Sequence, residues 1–307
     1  MAKQRKVSST AAPKTAAELI QSVCADSLAR LKKHRARSLK LEAEPIHQMR
    51  VATRRLRASL RIFHSLMEAQ WADELEQELR WLAHLLGNVR DLDVLRERLR
   101  EAAKPEDRRA LAPLQRLLGK RHHDAQTAML EGLKSERYTE LIERLRIGSH
   151  APEMTIETGE PPLKILLPQI ADAWKKLARA ANKLAPNDAS IKYHRVRKMA
   201  KRVRYATESL LPNVTHQELS QSEDAEQFIK RIKKLQDALG ELQDSVVAEK
   251  TIDIILDAKL LTKNDRLESA AKRLIASQKK AAKKAVKKFP KAWKAAGDPK
   301  NRKWMKA

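Results

Sequence analysis

Glycine occurs only 7 times in 307 residues, and aromatic residues make up 4% of the chain. Cysteine occurs once, at Cys24. Each shortage excludes something. A single thiol permits no internal disulfide framework and suits a reducing cytosol. Runs of alternating β-branched residues bounded by turn signals are absent, which excludes a sheet-based fold. No apolar run approaches the length of a membrane span. The basic N-terminus leads into no apolar h-region, so no signal peptide is expected. Ala, Leu, Lys, Arg and Glu abound instead, the composition of an all-helical protein. A chain of this length can bury one large or two medium cores.

Acidic charge is also in short supply. Against 64 Lys and Arg stand 39 Asp and Glu, a net charge of +25. Self-repulsion on that scale in a compact molecule points to a polyanionic partner: nucleic acid, an anionic membrane surface or polyphosphate. The plainer alternative is a soluble protein with a basic surface.

The positive charge is patterned. Between Pro45 and Met67 there is no acidic residue. His47, Arg50, Arg54, Arg57 and Arg61 recur at steps of three and four, within an arc of roughly 80° at about 100° per helical residue. Met49, Ala52, Leu56, Leu60 and Phe63 keep the same rhythm on the opposite arc. Like charges at these spacings each disfavour an isolated helix by a few tenths of a kcal/mol, so counter-charge must come from elsewhere. From His47 to Arg61 the rise is about 21 Å, which suits an extended anion better than one phosphate. Arginine forks bind phosphate oxygens bidentately, a lysine acts as a point charge, and a histidine adds charge when a polyanion protonates it.

The pattern occurs twice. His194, Arg197, Lys201 and Arg204 form a second stripe that opens 147 residues after the first, with Val196, Met199, Val203 and Leu210 opposite. Leu86-Gly87-Asn-Val-Arg-Asp91 is likewise echoed 153 residues later by Leu239-Gly240-Glu-Leu-Gln-Asp244. Two matched pairs in one order indicate an internal duplication. The predicted helices lie near 16–43, 46–69, 72–102 and 107–147, then 163–185, 189–211, 216–258 and 263–287. Pro113, Gly132 and the stretch near Ser135 are candidates to kink or divide the fourth. The expected layout is a disordered basic leader (1–15), a first four-helix half (16–147), a linker (148–162), a second four-helix half (163–288) and a basic tail (289–307). Short connections favour antiparallel neighbours, hence two up-down bundles. The Lys- and Ala-rich stretch from Gln278 is expected to extend the last helix as far as Pro290 and to be mobile beyond it. A solvated tail and an electrostatic tether to a polyanion both remain open for it. Trp71, Trp81 and Trp174 fit the bundle cores, whereas Trp293 and Trp304 fall in the tail, toward a membrane or partner.

A helix with His-x-x-Arg-x-x-x-Arg/Lys-x-x-Arg, followed one helix later by Leu-Gly-x-x-Arg/Gln-Asp, all duplicated, resembles the CHAD family, the conserved-histidine α-helical domain, over about residues 16–288. The resemblance implies an all-α fold of two pseudo-symmetric four-helix bundles with a basic groove or cavity between them. It also implies binding of inorganic polyphosphate and association with polyphosphate granules in the bacterial cytoplasm. By position, His47, Arg50, Arg54, Arg57, His194, Arg197, Lys201 and Arg204 match the family's motif, and Arg61 extends the first stripe. Arg55 and Arg202 align beside the stripes as secondary phosphate contacts, as does Arg90. Gln243 replaces Arg90 in the second copy, where Lys230 and Lys234 are expected to compensate.

Asp91 and Asp244 are expected either to orient a stripe residue or to form structural salt bridges, and Gly87 and Gly240 to allow close helix approach. Some family members carry a triphosphatase with a Glu-x-Glu-x-Lys signature. Glu74-Leu-Glu-Gln-Glu78 comes nearest here but lacks the lysine. The nine histidines form no convincing metal-ligand arrangement; His122 and His123 diverge on a helix, and His34, His64 and His84 read as surface or packed residues. No cofactor is expected. The sequence therefore reads as a non-enzymatic polyphosphate-binding protein, with a nucleic-acid-associated protein as the alternative and a polyphosphate-processing enzyme behind both.

Overall fold

The computed structural model describes residues 15–155, 162–211, 222–257 and 264–306. Nearly all of the expected leader and the second part of the linker lie outside the described residues. Among those described, nine α-helices carry the fold: α1 (Ala16–Ser38), α2 (Ala43–Ile62), α3 (Ala69–Ala102), α4 (Ala112–Lys134), α5 (Glu136–Gly148), α6 (Pro162–Asn182), α7 (Ser190–Leu210), α8 (Ser222–Asp257) and α9 (Asp265–Gly297). A 3-10 segment, Pro299–Lys306, follows α9.

The helix ends bear on the sequence reading in different ways. The fourth helix is divided at Ser135, one of the candidate breaks, giving five helices before the linker among the described residues. Ser135 ends α4 and caps α5, its Oγ accepting from the Tyr138 N–H at 3.3 Å. A Ser cap satisfies an N–H that a continuing helix would have bonded to a carbonyl. The last helix, by contrast, passes through Pro290 and reaches Gly297. An internal proline removes one backbone hydrogen bond. Here aromatic packing offsets the loss. Phe289 meets Tyr193 edge-on at 5.6 Å, Trp293 stacks on Trp174 at 5.5 Å, and Trp304 meets Phe228 at 5.6 Å. Trp304 is 1% exposed. The two tail tryptophans are thus core residues that pin the C-terminal segment, not contacts held out to a membrane or partner. Among the described residues, no helix is long and apolar enough to cross a membrane.

The α1–α2 connection ends earlier than its composition suggests. Glu42 N–H reaches Arg37 C=O at 3.3 Å and Leu41 N–H reaches Ser38 C=O at 2.9 Å, the paired bonds of a Schellman motif. The left-handed position of that motif is held by Leu41, at φ 61°. A β-carbon there costs about 1–2 kcal/mol, and glycine carries none. Leu41→Gly is therefore expected to raise stability by about 1 kcal/mol net of the extra freedom it gives the unfolded chain. Thermal melts check this; a lower melting temperature would show that the leucine side chain matters more than its backbone.

The apolar faces predicted for α2 and α7 point inward. Met49, Ala52, Leu56 and Leu60 are buried, as are Val196, Val203 and Leu210, while Met199 packs against the core from its edge. One continuous core takes in residues from α1, α2, α3 and α5 together with α6, α7, α8 and α9, so the two halves share an interior. A second, smaller core joins the far ends of two helical hairpins. Leu95, Leu99, Leu114 and Leu118 of α3 and α4 pack there with Ile252, Ile255, Leu267 and Leu274 of α8 and α9. Arg98 fastens the junction, donating to Gln278 Oε1 at 2.6 Å, Glu241 Oε1 at 2.8 Å and Ser245 Oγ at 2.7 Å. With their apolar faces buried, α2 and α7 lie against each other, and their charged stripes come together.

Candidate polyanion-binding cleft

The contact between α2 and α7 is fixed at one end by Ser59 Oγ and Ser209 Oγ, 3.0 Å apart, and by Arg55 Nη2 against Glu208 Oε2 at 3.1 Å. Toward the N-terminal ends the stripes converge. Arg54 lies within the fields of Arg50 and Arg197, and Lys201 within those of Arg54, Arg197 and Arg50. Positions that match between the two sequence segments, Arg50 with Arg197 and Arg54 with Lys201, thus lie near one another, and the space beside them is the candidate cleft.

Two flanking helices build its sides. α3 runs beside α2 and presents Gly87, Arg90 and Asp91; α8 runs beside α7 and presents Gly240, Gln243 and Asp244. Arg50 Nη2 donates to Asp91 Oδ1 at 2.8 Å. The same guanidinium lies over Gly87, where an added Cβ would stand 3.8 Å from Arg50 Nε. Arg197 lies over Gly240 in the same manner, with its Nη2 at 3.4 Å from such a Cβ. What the two glycines admit is an arginine side chain, where the sequence suggested a neighbouring helix. Gly87→Ala is expected to fit and to stabilise α3 by about 0.5–1 kcal/mol. Gly240→Leu is expected to expel the Arg197 guanidinium and weaken polyanion binding several-fold with helicity intact. Circular dichroism with a binding titration checks the pair; unchanged binding in Gly240→Leu would remove Arg197 from the site.

The two histidines open the cleft. Each is half-buried, and each has a buried Nδ1 without a hydrogen-bond partner among the described residues. Burial lowers the pKa of both. Arg90 lowers His47 further, whereas a side-chain hydrogen bond between His194 and Gln243 partly opposes the shift at His194. The Arg90 and Gln243 positions therefore play matching geometric parts with different charge.

In the middle of the cleft lie cations without anions. Arg54, Arg197 and Lys201 form no ion pair within 4 Å among the described residues, and Arg197 Nε is buried without a partner. Burial, then Arg54, Arg197 and Arg50, brings the Lys201 ammonium down to about 6. Asp244 is near enough to oppose these effects at Arg197 and Lys201, yet burial raises its own pKa. Tyr205 completes the floor. It is 6% exposed and lies in the fields of Arg54 and Arg197. Its position, four residues after Lys201, is the one signal by which the sequence could have given it.

The remaining stripe residues are neutralised internally. Glu76, 7% exposed, accepts from Arg57 Nη2 at 2.7 Å, from Arg61 Nη2 at 2.5 Å and from Arg80 Nη2 at 2.6 Å. Burial alone would raise the Glu76 carboxyl, but hydrogen bonds from Arg57 and Arg80 bring it below the usual range. Arg204 lies 4.6 Å over the Tyr205 ring and 3.3 Å from Glu208. Glu208 stands four residues after Arg204, a spacing the sequence shows, whereas nothing local marks Glu76 as the counter-charge of Arg57 and Arg61.

Of the secondary residues, Arg90 stands beside His47 and 3.7 Å from Asp93. Arg55 is held by Glu208, and Arg202 lines a separate cavity of ≈ 220 Å³ with Arg61, Lys176 and Gln169. Lys230 is exposed, 4.0 Å from Glu226. Lys234 opens onto a groove between α8 and α9. Neither lysine stands in for Arg90, because each lies more than 120° around α8 from Gln243 at about 100° per residue. Among the described residues, no group of three His, Cys, Asp or Glu is placed to hold a metal ion.

The fold has known counterparts. PptA from Streptomyces chartreusis has a similar structure, with a TM-score of 0.74 at 20% identity over 93% of this chain and 100% of that one. The CHAD domain from the plant Ricinus communis is similar with a TM-score of 0.67 at 23% identity over 91% and 94%. Both likenesses establish the fold. In sequence, the uncharacterized proteins MT2285 and Rv2226 of Mycobacterium tuberculosis are each 31% identical over 220 residues, which is 67% of this chain. The match spans 39% of the length of those relatives. The family model described as CHAD domain matches residues 22–253, from α1 nearly to the end of α8 and including both stripes. The chain belongs to the CHAD domain family.

Proposed function

We propose that this protein binds inorganic polyphosphate in the cleft between α2 and α7, and that its two matched segments arose by internal duplication to supply the two walls. One observation carries the reading: Arg54, Arg197 and Lys201 meet, largely withdrawn from water, without ion-pair partners among the described residues. Two unpaired guanidiniums and a lysine whose ammonium is brought down to about 6 disfavour the charged folded state, so the arrangement is best understood with an anion bound. An extended chain of phosphates supplies oxygens to Arg50, Arg54, Arg197 and Lys201 together, and His47 and His194 add donors at the mouth. Arg57, Arg61 and Arg204 shape the electrostatics of the lower cleft while held by Glu76 and Glu208.

The role is binding and not hydrolysis. Phosphoryl hydrolysis calls for a carboxylate set on a metal or an activated nucleophile. Of the acids here, Asp91 accepts from Arg50, and Asp244 is near enough to Arg197 to favour its charge. A protein that holds the polymer in this way would collect where it is stored, at polyphosphate granules in the cytoplasm.

The test is competition at matched salt on the full chain. The logarithm of the polyphosphate binding constant is expected to fall linearly with log salt, each phosphate contact contributing a slope of about 0.7–0.9. Polyphosphate should displace labelled duplex DNA at far lower phosphate concentration than DNA displaces polyphosphate. Equal displacement would assign the cleft to nucleic acid, and metal-dependent phosphate release by pure protein would make it an enzyme.

A further inference from the structure

A second basic surface lies away from this cleft. α8 and α9 form a hairpin whose outer side carries a trench of ≈ 870 Å³. Arg231 and Lys234 stand on the α8 wall, and Lys284, Lys287, Lys288 and Lys291 on the α9 wall. All six are exposed, and none forms an ion pair within 4 Å among the described residues. Two carboxylates, Asp237 and Glu241, lie in the same trench. Glu241 is already engaged by Arg98 at 2.8 Å and feels Lys284 and Lys288. The floor is alanine, including Ala238, Ala285 and Ala292.

Three features act together. Lys284, Lys288 and Lys291 follow one another at steps of four and three, a row about 10 Å long on one side of α9. Six cations against two carboxylates, one of them already engaged by Arg98, leave the trench with a positive excess between low-dielectric walls, so that an anion inside is held more strongly than on an open surface. Alanine leaves room between the walls, and the lysine stems can lie along the floor with their ammonium groups over it. The trench and the cleft use different faces of α8. Arg231 and Lys234 lie 120° or more around the helix from Gly240, which faces Arg197, at about 100° per residue.

We propose that the trench between α8 and α9 is a second, independent site for a linear chain of phosphates. The lysine-rich stretch is thus a built surface on an ordered helix. The proposal rests on the reading of the protein as a polyphosphate binder, and the two can fail separately.

The experiment is calorimetric titration of the full chain with a short polyphosphate of defined length at low ionic strength. Two equivalents should bind, one tighter than the other. In Lys284→Gln/Lys287→Gln/Lys288→Gln/Lys291→Gln, which keeps good helix formers at exposed positions, the weaker equivalent should disappear and the tighter one should change less than about two-fold. In Arg50→Gln/Arg54→Gln/Arg197→Gln/Lys201→Gln the weaker equivalent should remain. A single equivalent in the unaltered protein, or two in the α9 variant, overturns the second site. Loss of binding in the α9 variant with none in the cleft variant overturns the cleft reading and leaves the trench standing. Binding of duplex DNA to the trench in preference to polyphosphate would also overturn the proposal.

Discussion

Lys201→Met is expected to make the protein more stable and to weaken its hold on polyphosphate about ten-fold, removing most of the pH dependence of binding. Lys201 lies between Arg54, Arg197 and Arg50, and burial with those charges brings its ammonium down to about 6. An unfolded lysine titrates near 10.4. Between these values the unfolded chain binds more protons than the folded one, so the stability of the unaltered protein should rise as pH rises from about 6 toward 10. Below about 6 both states are protonated, and the full cost of the buried cation is present. Methionine has similar reach and no charge, so the variant's melting temperature should gain most at low pH and vary less with pH. Binding runs the other way. A polyphosphate chain favours the charged lysine, so the complex takes up a proton, and affinity should fall by up to ten-fold per pH unit above about 6 until the bound lysine itself titrates. His47 and His194, both held below their ordinary value by burial first, add uptake at the acid end. Titrations between pH 6 and 8 in buffers of different ionisation enthalpy measure the protons directly. Lys201→Arg, permanently charged, should bind with a flatter profile. Equal proton uptake in the unaltered protein and in Lys201→Met would exclude Lys201 from the site.

Glu76→Gln should do the reverse. Glu76 is 7% exposed and gathers Arg57, Arg61 and Arg80. Breaking a buried ion pair from one side typically costs 3–5 kcal/mol, because the remaining charge is left without compensation. Arg61 and Arg80 reach solvent, with side chains 37% and 63% exposed, and can relax into it. Arg57, at 19%, cannot do so as easily. The expected loss is therefore at the low end, about 3 kcal/mol, read as a lower melting temperature at low salt. Part of it should return on adding polyphosphate, since Arg57 and Arg61 are released toward the lower cleft and a bound anion replaces the lost carboxylate. Affinity should rise several-fold. A variant equally stable, or destabilised but no tighter in binding, would show that Glu76 does not hold these arginines back from the ligand.

The same trade-off explains why parts of the site were legible in the sequence and parts were not. The stripes could be read because one helix carries each, and helical spacing fixes which side chains share a face. Asp91, Gly87 and their partners in α8 could be found because they repeat. The acids that act between helices could not. Glu76 reaches Arg57 from α3, and Glu208, which local spacing does place beside Arg204, also reaches Arg55 across the α2–α7 contact; these two inter-helix pairings depend on packing that no local spacing reveals. A row of four arginines therefore looks uniformly available, whereas Asp91 engages Arg50, Glu76 engages Arg57 and Arg61, and Arg54 alone of the four is in no ion pair within 4 Å among the described residues.

Helix ends failed for local reasons. Leu41 occupies a left-handed position usually held by glycine, so nothing in the sequence announced that α1 stops at Ser38. The Lys-rich composition after Gln278 concealed Phe289, Trp293 and Ala296, whose spacing of four and three is the rhythm of a packed face. Two of them are buried, and Trp293 stacks on Trp174. Lys230 and Lys234 share Arg90's charge but not its place, because each lies more than 120° around α8 from Gln243 at about 100° per residue.

The most direct test of the cleft removes its central cations and counts what is lost. The protein carrying Lys284→Gln/Lys287→Gln/Lys288→Gln/Lys291→Gln, and the same protein with Arg50→Gln/Arg54→Gln/Arg197→Gln/Lys201→Gln added, would be titrated with one short polyphosphate at one low ionic strength. The expected result is a fall in affinity of about a hundred-fold or more, as four charge-assisted contacts are lost, with unchanged helical circular dichroism. Equal affinity in the two proteins, both folded, would contradict the placement of the polymer between α2 and α7.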